Sequence, residues 1–196
     1  MLTEKESRCI EMLVAFVKES SDFRPVPMEE KTEGIFDFVE EKNILFLIKG
    51  SYKTRMLVCG VMIDHDVAEF HFNSNILFFY ILSCNSDIAF SFHKEKSADR
   101  ITKEIGLKIE IEVGNKEIDD HYLINSNYPD KLKKLIEKPE YEIFLKSETE
   151  IIEELSVKNG VLIFKKHFKT KNEDKEQIKT DIDKLTAIAE TAEESI

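Results

Sequence analysis

Between Ile44 and Phe92 the chain sets short apolar runs against short polar turns, with no helix-length segment between them. The runs are Ile44–Ile48, Arg55–Ile63, Val67–Phe72, Ile76–Leu82 and Ile88–Phe92. Gly50-Ser51, Asp64–Asp66, Asn73–Asn75 and Asn85–Asp87 divide them. Strands joined by so few residues pair antiparallel, because a parallel crossover needs a dozen or more residues. The segment predicts an antiparallel sheet and excludes an alternating, doubly wound fold.

The flanks supply helices. Ile10, Leu13, Val14 and Val17 follow helical spacing, and Thr3 is placed to cap the helix they define. Pro25 and Pro27 then hold the chain extended. A helix is expected over Ser97–Ile105, stopped by Gly106, and an alternating strand over Leu107–Val113. After a strand at Tyr122–Ile124, a helix begins at Pro129-Asp130 with Leu132, Leu135 and Ile136 inward. Tyr141–Leu145 follows Pro139 as another short helix. Asn159-Gly160 lies between the apolar runs Leu155–Val157 and Val161–Phe164, which is a hairpin signature. The last helix, Asp174–Glu193, carries Ile178, Ile182, Leu185, Ala189 and Ala192 on one stripe. The reading is one α+β domain over residues 1–196. It has a mainly antiparallel β-sheet, an N-terminal helix, two or three short internal helices and a long C-terminal helix packed on the sheet.

Composition then narrows function. Hydrophobic residues make up 42% of the 196, enough for a core drawing on nearly the whole chain. A net charge of −11 repels nucleic acid and anionic membrane surfaces alike. The N-terminal apolar stretch Ile10–Val17 contains Glu11, is too short to span a bilayer and lacks a basic flank. The expectation is a soluble, cytoplasmic chain with no membrane span. Cys9, Cys59 and Cys84 are widely spaced in apolar stretches and read as buried, reduced thiols. All six glycines are isolated, so no phosphate-cradling loop exists, and no GxSxG elbow is present.

Four groups remain as candidates. On one continuous strand His65, Glu69 and His71 would share a face and offer a divalent metal two imidazoles and a carboxylate. Against this, Asp64–Asp66 has the composition of a solvated turn. Asp119 and His121 offer an acid and a base, or a turn in which Asp119 caps backbone. Phe70, Phe72, Phe78, Phe79, Tyr80, Phe90 and Phe92 line either a core or an apolar pocket. The basic run from Lys165 to Lys171 reads as a solvated strand end whose lysines discourage edge pairing.

Gly114, Glu117-Ile118-Asp119 and Tyr122-Leu123-Ile124-Asn125-Ser126 resemble a segment of a family of uncharacterised prokaryotic proteins, a domain of unknown function. In that family a helix, a hairpin and a final helix follow in the same order. Gly50-Ser51-Tyr52-Lys53-Thr54-Arg55 is similar to its Gly-x-Tyr-x-Gly-Arg hairpin. Ile118 stands where the family shows Phe, and Thr54 where it shows Gly. The resemblance implies no established activity, and its motif residues are of turn and packing type.

The functional expectation is a non-enzymatic binding, scaffold or regulatory module with no cofactor. Its partner is a protein or a second copy. The alternatives are a metal-dependent hydrolase using His65, Glu69 and His71, with Asp119 and His121 as helpers, and an apolar-ligand binder with a Phe-lined pocket.

Overall fold

A computed structural model describes residues 2–27, 43–64, 75–95, 111–147, 151–168 and 174–194. The elements run α1 (Glu4–Glu19), β1 (Phe23–Pro25), β2 (Ile44–Tyr52), β3 (Arg55–Asp64), β4 (Asn75–Ser83), β5 (Phe90–Lys94) and α2 (Lys116–Asp119). They continue with β6 (Tyr122–Ser126), α3 (Pro129–Ile136), α4 (Pro139–Ser147), β7 (Ile152–Lys158), β8 (Val161–His167) and α5 (Lys175–Glu194). The eight strands form one sheet in the order β1-β2-β3-β4-β8-β7-β5-β6, antiparallel at every pairing. The expected α+β architecture is therefore the observed one. The expected strand Val67–Phe72 and helix Ser97–Ile105 lie outside the described residues, as does most of the strand Leu107–Val113. At the described end of that last segment, the Ile111 N–H donates to the Ile124 carbonyl of β6.

Local chemistry accounts for the element ends. Thr3 and Glu6 form a reciprocal capping box at α1, satisfying two otherwise orphaned N–H groups. Asn159 and Gly160 take positive φ of 51° and 78° in a two-residue hairpin turn, the conformation that Asn-Gly favours. The β2–β3 turn differs from expectation. Gly50 and Ser51 stay in β2, and the reversal falls on Lys53 and Thr54, with φ of 45° and 68°. Gly50 instead gives room to its neighbour: an added Cβ would lie 2.2 Å from the Asp22 carbonyl oxygen and 2.6 Å from the Phe23 ring.

Register sorts the side chains onto two faces. One cross-strand row reads Ile48, Cys59, Tyr80, Phe164, Leu155, Phe92, Ile124 from β2 to β6. All of these are buried in the main core, together with inward residues of α1, α3, α4 and α5. The adjacent row faces the other way: Leu47, Gly60, Phe79, Lys165, Glu154, His93, Leu123. Its β2–β4 half belongs to a second apolar cluster containing Leu47, Val58, Leu77, Phe79 and Ile81. Its β8–β7–β5 half is polar.

Candidate functional site

The described part of the basic run, Lys165 to Phe168, is not a solvated strand end. β8 lies in the middle of the sheet, between β4 and β7, so its side chains alternate between the two faces of the sheet. Lys166 points to the helical face, where its ammonium lies 2.7 Å from Asp181 of α5, both side chains at most 4% exposed. The Tyr80 hydroxyl donates to Asp181 Oδ2 at 2.7 Å, and Gln177 Nε2 donates to Oδ1 at 2.9 Å. Cys59 adjoins this group, and burial first, then the Asp181 charge, pushes its thiol well above the ordinary range. The carboxylate thus has partners at both oxygens, as a buried charge requires.

Lys165 points to the opposite face and meets Glu154 at 2.8 Å. Ser156 donates to the same carboxylate at 2.8 Å. Burial alone would raise the Glu154 pKa, but Lys165 and Ser156 hold it below the ordinary carboxylate value. A bulge in β7 at Glu153 brings a second acid to this region. Glu153 Oε2 lies 3.0 Å from His167 Nε2. His93, next to Glu154 across the β5–β7 pairing, has its imidazole pKa lowered by desolvation, which outweighs the opposing pull of Glu154. Acids and bases converge here, but in mutually neutralising pairs.

Of the residues singled out in sequence, His65, Glu69 and His71 lie outside the described residues, as do Phe70, Phe72 and Lys169–Lys171. Asp119 and His121 diverge. Asp119 accepts from the backbone N–H groups of Val113 and Gly114 at 2.8 and 3.0 Å. The His121 ring nitrogen Nδ1 sits 2.7 Å from the Glu117 carbonyl on the surface. That is a capped turn, not an acid–base pair. Phe78, Phe79, Tyr80, Phe90 and Phe92 are all at most 4% exposed. Phe78 packs on Phe168, Tyr80 on Phe164, and Phe90 on Phe92 and Tyr141. These rings fill core rather than line a pocket. Cys9, Cys59 and Cys84 are buried free thiols, as their apolar surroundings suggested. Among the described residues no group of three His, Cys, Asp or Glu side chains is disposed to hold a metal ion. Among them, too, no helix is long and apolar enough to cross a membrane.

Two concavities open on the helical side. One, of about 280 Å³, lies between α4 and α5 over Ile143, Phe144 and Ala187, rimmed by Glu140 and Lys184. Ile143 is 67% exposed, beside the otherwise buried Phe144. The other, of about 350 Å³, lies where the end of α1 and the turn into β1 meet Tyr52 and the first turns of α5. Sequence reading missed both, because each joins elements distant in the chain.

No family model and no curated protein matches the chain. Among solved structures it is similar to the crystal structure of the mycobacterial trehalose monomycolate transport factor A, TtfA. The TM-score is 0.48 at 9% identity, over 98% of this chain and 95% of that one. Likeness at this level transfers neither fold nor activity.

Proposed function

We propose that this protein is a non-enzymatic binding module that docks a basic, amphipathic segment of a partner protein between α4 and α5. The observation that carries the reading is Ile143, a large apolar side chain left 67% exposed at the mouth of an apolar concavity. Among the described residues, clustered acids and bases elsewhere neutralise one another: Asp181 with Lys166, Glu154 with Lys165, Glu193 with Arg55. Paired groups of this kind specify structure and leave no poised nucleophile. An apolar slot between two helices suits one anchoring side chain of a docked helix. The partner's charge follows from the surroundings. Glu140, Glu190 and Glu194 are exposed along these two helices, and the whole chain carries −11. A basic segment is steered toward such a surface and an acidic one repelled.

The test places a photo-crosslinking amino acid at position 140 of the full chain and captures the neighbour in cells. The captured protein is then purified and titrated calorimetrically. The expected contact is a basic helical segment, bound about tenfold more weakly by Ile143→Asp and progressively more weakly as salt rises. Binding that ignores Ile143→Asp would overturn the assignment. So would a stoichiometric transition metal retained on purification, with hydrolytic turnover lost on His65→Ala or His71→Ala. That result would establish the metal-dependent alternative instead.

A further inference from the structure

We infer that the cavity between α1, β1 and α5 is a binding site for a small zwitterion of the α-amino-acid class. The inference goes beyond partner docking and uses the other end of α5. The cavity, of about 350 Å³, stands at the small end of the range typical of ligand sites. Its apolar wall is built from Phe16 and Phe23, packed edge to face at 5.1 Å, with Tyr52 beside them. The Tyr52 hydroxyl is committed to Asp183 at 2.5 Å, so Tyr52 offers its ring rather than its polar tip.

The charges around this wall are of both signs. Lys175 and Glu19 are spent on each other. The start of α5 is occupied as well: Asp174 accepts from the N–H groups of Glu176 and Gln177. Among the described residues this leaves three exposed charged lining groups that are not paired with one another, the Lys179 ammonium and Glu176 carboxylate on α5 and the Asp22 carboxylate before β1. A lone anion would meet Asp22, and a lone cation would meet Lys179. A ligand carrying both an ammonium and a carboxylate meets charges of both signs at once, its carboxylate toward Lys179 and its ammonium toward Asp22 and Glu176, and its side chain covers the aromatic wall. Two charge-assisted hydrogen bonds and one apolar contact define the class.

The test uses the full chain and the twenty free amino acids as probes, by thermal shift and then calorimetry. At least one amino acid with an apolar side chain is expected to bind. Its C-terminal amide and its N-acetyl derivative, each lacking one charge, are expected to bind at least about tenfold more weakly. Lys179→Gln and Asp22→Asn are expected to produce the same loss while leaving the circular dichroism spectrum unchanged. Ile143→Asp is expected to leave this affinity untouched, which separates the site from partner docking. The inference is overturned if no amino acid binds at millimolar concentration, if the singly charged derivatives bind as well as the parent, or if binding survives both substitutions.

Discussion

Asp181 and Lys166 are almost wholly buried, and removing either takes away the other's buried ion-pair partner. Asp181→Leu removes the carboxylate that faces the buried Lys166 ammonium and that accepts from the Tyr80 hydroxyl and the Gln177 amide. The expected loss is about 3–5 kcal/mol, measured by urea denaturation. Replacing the whole group with Asp181→Leu, Lys166→Met and Tyr80→Phe is expected to recover most of that loss, because no uncompensated charge remains. If the triple variant is no more stable than the single, the groups are not energetically coupled. The run from Lys165 to His167 was visible in the sequence, but its meaning was not. Local pattern reveals a strand with adjacent lysines. Only the pairing of β8 with both β4 and β7 makes the strand interior and sends each lysine to a different acid.

At the scale of elements the two hairpins form a natural comparison. Both reverse in two residues with positive φ at each. β7–β8 uses Asn159-Gly160, while β2–β3 uses Lys53-Thr54. A β-branched residue at a φ of 68° is strained by contact between its Cβ and the backbone. Thr54→Gly removes that contact, and the substitution is expected to stabilise the protein by about 1 kcal/mol in urea titration. No stabilisation would mean that the hydrogen bond from the Thr54 hydroxyl to the Lys53 carbonyl offsets the strain. Asn-Gly was legible because its geometry is written in its composition. Lys-Thr was not, and Gly50-Ser51 drew attention to the wrong position. The capping box of α1, the Pro129 start of α3 and the apolar stripe of α5 were legible for the same local reason. Strand order was not, since the β4–β8 pairing joins segments separated by a third of the chain or more.

At the end of α5 local and distant signals combine. Arg55 grips Glu193 through two guanidinium bonds of 2.7 and 2.6 Å and also donates to the Ser83 carbonyl. The Asn85 N–H donates to the same Glu193 carboxylate. This clamp fixes the last turn of the helix to the β3–β4 edge of the core. In sequence Arg55 marks only the end of a hairpin segment, and Glu193 is one charge among many on the last helix, so nothing local joins the two.

For the whole molecule these local environments add up to a dome of stability against pH. The Glu154 and Glu193 carboxyl groups, paired with Lys165 and Arg55, ionise more readily folded than unfolded. Their contribution is complete above about 4.5, the ordinary carboxyl value, and is lost as pH falls through their lower folded values. His93 acts in the same direction. Its imidazole is harder to protonate in the folded chain, so below 6.5 the unfolded state takes up the proton first and stability declines. The alkaline limb has the opposite origin. Burial pushes the Cys84 thiol up to about 11, and Cys59 well above 9.0. From about 9 upward the unfolded thiols lose their protons while the folded ones keep them, so stability falls again. Urea midpoints are therefore expected to be highest between about pH 6.5 and 9 and to decline on both sides. Substitution separates the limbs. Glu154→Gln combined with Lys165→Met is expected to make the acid side shallower and leave the alkaline side unchanged, and Cys84→Ala with Cys59→Ala to do the reverse. An alkaline decline unchanged by the cysteine replacements would assign that limb to buried tyrosines such as Tyr141, whose pKa burial also raises.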